Sequence, residues 1–243
     1  MKMLAFAKRN TKEILRDPLN LFFGLGFPLV LILLLSAIQA NVPVSLFEIQ
    51  HLTPGVTVFG LAFMTLFSAT IIAKDRSSSL LQRLYTTPLT SIDFILAYIL
   101  PMIPIAVAQS VICYIVALIL GLEFSINILL AVILIIPVSI FYIALGLLCG
   151  SILNDKQVGG ICGGLLTNLS AWLSGVWFDL ELVGGVFKKI SYALPFVHAV
   201  EMERAALNGN FNDVLPHFLV VFAYSVIIMV IAIILFCRQM KKQ

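Results

Sequence analysis

Residues 74–93 read KDRSSSLLQRLYTTPLTSID and form the longest polar interruption between two strongly apolar runs. The SLLQ motif that begins at Ser79 has the spacing of a capping box, which starts a helix. Leu80 and Leu84 are four residues apart and therefore share one face of that helix. Pro88 ends it, because a proline disfavours helical backbone in the residue before it. The stretch predicts a short amphipathic helix outside the lipid, and an ordinary loop on the lipid headgroups is the alternative.

The composition predicts an integral membrane protein. Of the 243 residues, 61% are hydrophobic and 11% are charged, whereas soluble domains have about 25% charged residues. The four cysteines lie in apolar runs without metal-ligand spacing and are predicted to be buried thiols. The formal net charge of +3 is too small to indicate a nucleic-acid partner. The polar stretches are too short for a separate soluble domain.

Hydropathy therefore predicts an all-α protein with one membrane domain over residues 1–243. A basic amphipathic helix at 1–18 is expected to lie on the membrane surface. Six apolar stretches are long enough to cross about 30 Å of hydrocarbon. They are residues 19–38, 51–73, 94–120, 125–150, 158–178 and 213–237. Pro101 and Pro104 predict a kink or a break near the start of the third.

Residues 179–212 fit neither a simple loop nor a full span. Two short helical patterns meet at Pro195, and each is too short to cross the membrane. Helices of this length suit a re-entrant or interfacial segment. Glu201, Glu203 and Arg204 give the second helix a polar face. Pro195, Glu201 and Arg204 are the predicted hinge residues of the segment.

The basic residues are distributed unevenly between the two sides of the predicted membrane domain. If both termini lie on one side, three of the 15 Lys and Arg residues fall on the other side, namely Lys188, Lys189 and Arg204. Cytoplasmic loops carry the excess of Lys and Arg. The sequence therefore predicts cytoplasmic termini, a cytoplasmic segment 74–93 and an external segment 179–212.

The six stretches lack the groups that would power transport. No Asp, Glu, Lys or Arg lies in their interior, whereas ion-driven transporters need ionisable groups at membrane depth. The chain also lacks the GxxxxGK[ST] loop that cradles ATP phosphates. We therefore expect no catalytic residue, cofactor or metal in this chain. Any active transport must therefore draw its energy from another subunit, and residues 74–93 are the best place to receive it.

Small residues recur along the fifth stretch. Gly160, Gly164, Ala171 and Gly175, with Asn168 among them, have spacings that let helix backbones approach closely. The stripe predicts a packing face. Packing inside one subunit, a dimer seam and the lining of a transport path all remain open.

Three stretches together resemble the bacterial ABC-2 type permease family, the membrane halves of ABC exporters. They are RNTKEILRDPLNLFFGLGFPLVLILLL, LLQRLYTTPLTSIDFILAYIL and LSGVWFDLELVGGVFKKISYALPFVHAVEMERAALNG. The second resembles the family's G-T-L-E-R-L and T-P-L pattern, with Ser79, Leu80 and Gln82 at the Gly, Thr and Glu positions. Tyr98 stands where a lysine is often found, and Asp179 stands where a proline is common.

The resemblance implies two permeases, identical or related, with two cytoplasmic ABC ATPase subunits docked on their loops at residues 74–93. ATP and Mg are then expected in the partner ATPase. The implied ATPase-coupling residues are Arg76, Ser79, Leu80, Leu81, Arg83, Leu84, Tyr85 and Pro88. In the family the second and fifth spans tend to line the transport path. The candidate path residues in this sequence are Phe23, Phe27, Thr57, Phe63, Phe67, Asn168 and Trp172.

The expected function is that of the permease subunit of an ATP-driven exporter in a bacterial cytoplasmic membrane. A hydrophobic or amphipathic cargo is expected, such as a drug, an antimicrobial peptide or a lipid-linked molecule. One alternative is a membrane enzyme for lipid-linked substrates, which would need Glu201, Glu203 and His198 to converge. Another is a passive channel or scaffold, which the apolar spans do not favour.

Overall fold

The computed structural model describes residues 2–41, 47–78 and 89–240, and these ranges contain helices but no strand. The fold is all-α, as the sequence predicts. Long helices run side by side between the two ends of one bundle. We call the end that carries the N-terminal helix the basic end, and the end that carries residues 179–212 the hairpin end.

Helix α1 (Lys2–Leu15) is amphipathic and packs against the bundle at the basic end. Its buried positions Phe6, Asn10 and Ile14 recur every four residues and therefore share one face. The opposite side of the helix is exposed, with Leu4 among its residues. The predicted surface helix thus rests on protein along one face.

Helix α2 (Pro18–Gln39) is the first one long and apolar enough to cross a membrane. Asp17 caps its N-terminus by accepting a hydrogen bond from a backbone N–H of the first turn. Pro18 occupies the first helical position, where a missing N–H leaves no bond unmade. A π-helical turn, Phe22–Gly26, comes just before Pro28 and makes the helix locally wider.

Helix α3 (Ile49–Ser77) is the central helix of the bundle. It is apolar on all sides and buried along most of its length, as expected of a helix surrounded by others. It continues past residue 73, where the sequence predicts the second span to end. Residues 74–77 therefore belong to this helix instead of a polar loop, and Asp75 among them is buried.

Helices α4 (Ser91–Ile99) and α5 (Met102–Ile119) form the third pass through the bundle. Thr90 caps α4 in a capping box with Asp93, in which both reciprocal hydrogen bonds are present. The break between the two helices falls at Pro101, one of the two prolines that predict it.

Helix α6 (Asn127–Ile152) packs between α3 and the last helix, α11 (Phe211–Met240). Glycines let α6 approach α3 closely. A Cβ atom at Gly146 would lie 2.6 Å from the carbonyl oxygen of Thr65, and one at Gly150 would be almost as crowded. These glycines hold the core of the bundle together by close backbone contact.

Helix α7 joins three consecutive segments, Asp155–Val158, the π-helical Gly159–Leu166 and Thr167–Leu173. It runs along α3 from the basic end to the hairpin end. Gly163 lies beside Leu66 in the middle of this contact, and Val176, just beyond the helix, lies beside Gly55.

Five helices in the described ranges are long and apolar enough to cross a membrane. They are Pro18–Gln39, Ile49–Ser77, Ile92–Ile119, Asn127–Ile152 and Phe211–Gln239. The sixth predicted span, 158–178, corresponds to α7, which ends at Leu173 and is followed by turns. Its glycines and Asn168 make it less apolar than the other five, although it runs the length of the bundle.

Three short helices form the hairpin end, α8 (Leu180–Val183), α9 (Gly185–Ala193) and α10 (Pro195–Leu207). Gly184, with a φ of 60°, separates α8 from α9 in a conformation that glycine adopts without strain. Helix α10 begins at Pro195, where the sequence predicts the hinge, and most of its residues are buried against the long helices.

Helix α1 and the last turns of α11 lie at the basic end. The ring of Phe236, late in α11, is 6.4 Å from that of Phe94 at the start of the third pass. At the hairpin end, His198 of α10 is 2.8 Å from His217 near the start of α11. The bundle therefore has an even number of passes, and the charge distribution predicts that its basic end is cytoplasmic.

Candidate coupling and transport site

Most of the predicted ATPase-coupling residues lie outside the described ranges. They are Ser79, Leu80, Leu81, Arg83, Leu84, Tyr85 and Pro88. The structure describes Arg76 and the ends of the two helices that flank them, α3 and α4. These ends show how the predicted docking segment is attached to the bundle.

Asp75, in the last turn of α3, is the centre of a polar cluster at the basic end. Its side chain is only 3% exposed. The Arg9 guanidinium donates a hydrogen bond of 2.7 Å to Oδ2, and the Tyr98 hydroxyl donates one of 2.9 Å to the same oxygen. Charge-assisted bonds of this kind are the strong ones in proteins. One carboxylate oxygen thus joins α1, α3 and α4.

Helix α1 makes further contacts with α4 beside this cluster. The Asn10 amide donates a 2.9 Å hydrogen bond to the carbonyl oxygen of Ala97. The ring of Phe6 packs edge-on against Phe94 and Tyr98, with centroids 5.7 and 5.3 Å apart. Aromatic pairs in this arrangement add stability beyond their buried area. The N-terminal helix is therefore fixed to both helices that flank residues 79–88.

Arg76, a predicted ATPase contact, is directed toward the end of α6. Its guanidinium donates hydrogen bonds to the carbonyl oxygens of Gly150 at 2.8 Å and of Leu153 at 3.2 Å. The last carbonyls of a helix lack partners within it, and a cation there also suits the helix dipole. Arg76 thus ties the basic ends of α3 and α6 together, and its contact with an ATPase stays a prediction.

A cavity of about 400 Å³ opens at the basic end between the N-terminal helices and α3. Polar side chains border it, with Lys74 and Asp17 3.9 Å apart, and Phe67 belongs to its lining. The cavity thus combines a charged border with apolar side chains such as Ile14 and Ile71, and the ring of Phe67 lies buried behind them. Such a surface can accept the polar head of an amphipathic molecule and part of its apolar body.

Four of the predicted path residues belong to one aromatic region between α2 and α3. Phe23 stacks on Phe63 at 5.8 Å, and Phe27 packs edge-on against the same ring at 5.8 Å. Phe67 lies against Gly24 of α2, where a Cβ atom would be 2.5 Å from its ring. Phe63 and Phe67 are buried, so this region is a packed seam in the conformation observed.

Thr57, another predicted path residue, is fully buried inside the subunit. Its hydroxyl donates a 2.7 Å hydrogen bond to the carbonyl oxygen of Thr53, one turn earlier in α3. The Thr57 carbonyl accepts a 3.2 Å bond from the Gln109 amide of α5. These bonds give Thr57 a packing role in this conformation, and its contact with a cargo stays a prediction.

The small-residue stripe on α7 divides between two faces. Gly160 and Gly164 have open space where a side chain would stand, whereas Ala171 is 4% exposed and Gly175 is buried. Asn168 shares the outer face and donates a 2.8 Å hydrogen bond to the Gly164 carbonyl oxygen. The predicted packing inside one subunit therefore applies to the last two residues of the stripe.

Trp172 is also on the outer face of α7, with 52% of its surface exposed. The structure thus brings this ring and Asn168, both predicted path residues, onto one surface. A polar amide and bare glycine backbone are poor partners for lipid tails and good partners for another helix. The outer face is suited to a second protein surface or to a transport path.

Arg204, a predicted hinge residue, holds the hairpin end together. Only 7% exposed, it donates hydrogen bonds to Glu201 Oε1 at 2.8 Å and to the Gly175 carbonyl oxygen at 3.2 Å. A longer bond of 3.4 Å reaches the His51 carbonyl oxygen at the start of α3. These contacts lie beside an outer cavity of about 690 Å³. One guanidinium thereby connects α10 with α3 and α7.

The residues that a membrane enzyme would need do not converge. Glu201 pairs with Arg204, and His198 hydrogen-bonds to His217. Glu203 is fully buried, and its Oε2 accepts a 3.2 Å hydrogen bond from the Tyr114 hydroxyl. The described part of the chain also holds no group of three His, Cys, Asp or Glu residues that could bind a metal. The arrangement does not favour the enzyme alternative.

The two buried carboxylates are the residues that the sequence reasoning missed. Asp75 was assigned to a polar loop and Glu203 to the polar face of a short helix. The partners of Asp75 are Arg9 and Tyr98, the first of them 66 residues away, and that of Glu203 is 89 residues away. A single sequence carries no local signal for such distant pairs. On α1, however, the polar Asn10 shares a helix face with the apolar Phe6 and Ile14, and this pattern points toward a buried polar contact.

The fold and this site define a class of protein, a polytopic helical membrane protein with a helical hairpin packed on one end. Its basic end gathers three helices around a predicted docking segment. Such an arrangement suits a membrane subunit that responds to a partner at that end.

A family model described as ABC-2 type transporter matches residues 1–208, which is most of the chain. The chain belongs to the ABC-2 type transporter family. It is therefore the permease subunit of an ABC transporter, a multi-pass membrane protein that works with an ABC ATPase. A search of curated proteins gave no significant match.

Proposed function

We propose that this permease exports a hydrophobic or amphipathic compound from a bacterial cell, driven by ATP hydrolysis in separate subunits. A drug, an antimicrobial peptide or a lipid-linked molecule has the required character. The termini and the docking segment 74–93 face the cytoplasm, where most of the basic residues then lie.

The observation that carries the proposal is the cavity at the basic end. Its border holds Lys74 and Asp17, and its lining includes Phe67, which continues into the aromatic seam between α2 and α3. An amphipathic cargo would place its polar head at the border and its apolar part against the rings. Separation of α2 from α3 would then expose Phe23 and Phe63 to the cargo.

Energy would reach the bundle through residues 79–88. The helices on both sides of this segment are attached to their neighbours, α3 through the bond from Arg9 to Asp75 and α4 through the bond from Tyr98 to the same carboxylate. An ATPase that pushed on the segment would therefore move whole helices instead of a loose loop. Two ATPases would serve two permeases.

The second permease, identical or related, would pack on the outer face of α7. That face offers bare backbone at Gly160 and Gly164 and an exposed amide at Asn168. A facing helix could approach closely there and satisfy the amide. Trp172 would then lie at the border between the two subunits, next to the path.

Purification of the tagged chain in mild detergent tests the subunit composition, with every co-purifying protein identified and counted. We expect one P-loop ATPase copy per permease and a second permease copy. Reconstituted vesicles then test transport with two probes, a fluorescent hydrophobic dye and a fluorescent cationic amphipathic peptide. ATP-dependent movement of either one supports the proposal. Equal flux without ATP would contradict it.

A further inference from the structure

Arg9 differs from the other basic residues of α1. Lys8 and Lys12 are exposed, as expected for a helix that lies on anionic lipid headgroups. Arg9 instead directs its guanidinium into the protein, where one nitrogen contacts both Asp75 Oδ2 and Asn10 Oδ1. Arg9 therefore contacts other protein side chains instead of lipid headgroups.

The Arg9–Asp75 pair is nearly inaccessible on its acidic side. A buried carboxylate is tolerated when its charge is compensated, and removal of the partner leaves a charge in a medium that solvates it poorly. Arg9 itself is about one-third exposed and also lies 3.6 Å from Glu13. Loss of Arg9 would therefore destabilise the contact between α1 and the end of α3, because Asp75 would remain buried there without its cationic partner.

The contacts around this pair make one body of three elements. Tyr98 joins Asp75 to α4, and Asn10 joins α1 to α4 through the Ala97 carbonyl oxygen. Residues 79–88 leave this body at the end of α3 and return to it just before α4. A force applied to the segment therefore acts on α1 as well.

We propose that Arg9 is a positioning residue for energy coupling, which fixes α1 to the two helices that carry the docking segment. The three helices then move together when the ATPase closes, and α1 transmits that movement along the membrane surface. This inference rests on the proposed docking of an ATPase at residues 74–93.

The test uses the permease purified with its ATPase from native membranes, in the variants Arg9→Gln, Arg9→Lys and Lys8→Gln. Each preparation is measured for ATPase copies per permease, for ATP turnover per complex and for melting temperature. We expect R9Q to retain its ATPase while turnover falls about 2- to 30-fold, the range of effects within a coupling network. R9K should restore most of the turnover, and K8Q should match the wild type.

The double variant R9Q/D75N separates positioning from stability. It removes the buried charge together with its partner, so the melting temperature should recover while turnover stays low. If turnover per complex is normal in R9Q and only the melting temperature falls, Arg9 has a structural role and the inference is wrong.

A distance measurement tests the inference without an ATPase. Spin labels are placed at Lys8→Cys on α1 and Ile92→Cys on α4, two exposed positions, after the native cysteines are changed to alanine. The wild-type distance distribution should be narrow and that of R9Q broad. Equal widths would overturn the inference. A wild-type chain that captures no ATPase but shows this difference would instead contradict the docking proposal alone.

Discussion

Glu203 lies fully inside the bundle on α10, with Tyr114 of α5 as its hydrogen-bond donor. Its second carboxylate oxygen, Oε1, has no hydrogen-bond partner among the described residues. Burial raises the pKa of this carboxyl well above its ordinary value, although the bond from Tyr114 lowers it in part. Burial therefore favours the neutral carboxyl over the carboxylate in this environment, since a buried charge without a cationic partner is unfavourable.

Glu203→Gln should make the protein less sensitive to pH. The wild-type carboxyl has a higher pKa in the folded than in the unfolded state, so stability is greatest below the unfolded value, about 4.3. As pH rises above that value, the wild type should lose up to about 1.4 kcal/mol per pH unit relative to E203Q. Melting curves from pH 4 to 8 measure the difference. The exposed Glu181→Gln serves as control, and parallel curves for E203Q and wild type would contradict the expectation.

Arg204→Lys should destabilise the hairpin end although it keeps the positive charge. A lysine presents a compact ammonium, which cannot match the planar fork that reaches Glu201 and two carbonyl oxygens. Loss of the hydrogen bonds to the two buried carbonyl oxygens is expected to cost about 1–3 kcal/mol. The melting temperature of R204K should therefore fall clearly, whereas that of Lys189→Ala, an exposed residue on α9, should not change. If R204K melted like the wild type, the contacts of α10 other than those of Arg204 would be sufficient to hold the hairpin end, and the expectation would be wrong.

At the scale of elements, the parts that could be predicted from sequence are those with local causes. The capping box at Thr90, the break at Pro101 and the start of α10 at Pro195 each depend on residues next to one another. The extension of α3 through Asp75 could not be predicted in this way, because its stability comes from Arg9 on a distant element. The long-range bond from Arg9 to Asp75 thus extends α3 beyond residue 73, although the residues that follow are polar.

The predicted path residues also show that local features can be predicted from sequence and long-range contacts cannot. The helices that carry the four phenylalanines are among the five that are long and apolar enough to span, whereas the predicted span of Asn168 and Trp172 is not among them. Whether a side chain faces a neighbouring helix, a second subunit or lipid depends on the rotation of the helix within the bundle. Phe63 proved buried and Trp172 exposed, although both lie in apolar runs. Rotation of this kind is set by packing partners that one sequence does not reveal.

Gly164→Leu on the outer face of α7 should weaken association of two permeases without harming the subunit. The leucine side chain would point into open space within the monomer. In a dimer it would separate two helices that meet at this face, and the overpacking is expected to weaken their association by about 1–3 kcal/mol. Co-purification of two differently tagged copies measures the effect. Gly146→Ala is the converse control, since its Cβ would meet the Thr65 carbonyl oxygen and lower the melting temperature. Unchanged co-purification of G164L would place the dimer seam elsewhere.

At the scale of the whole molecule, the bundle connects two specialised ends through α3. The basic end gathers the charged cluster at Asp75, and the hairpin end is held by Arg204. Helix α3 contributes to both and is buried between them. A displacement at residues 79–88 can therefore reach the hairpin end through one central element.

Leu84→Asp should prevent the ATPase from binding while the permease stays folded. The predicted amphipathic helix offers Leu84 as part of its apolar face, and a carboxylate there would have to be desolvated on docking. ATPase capture by the tagged L84D chain should fall at least about tenfold, with an unchanged melting temperature. Leu182→Asp, at an exposed position on α8, is the control. Full capture by L84D would rule out Leu84 as a docking residue.

The burial of α3 has a consequence for how the protein is made. Its Thr65 hydroxyl donates a hydrogen bond to the carbonyl oxygen of Tyr142, which is synthesised 77 residues later. Gly146 and Gly150, which allow the close contact with α6, emerge later still. Until then α3 can pack mainly on α2 and α5, neighbours that are made before residue 127. A chain interrupted before residue 127 would leave one side of α3 without its contact with α6, and we expect such a fragment to be degraded faster than the full chain.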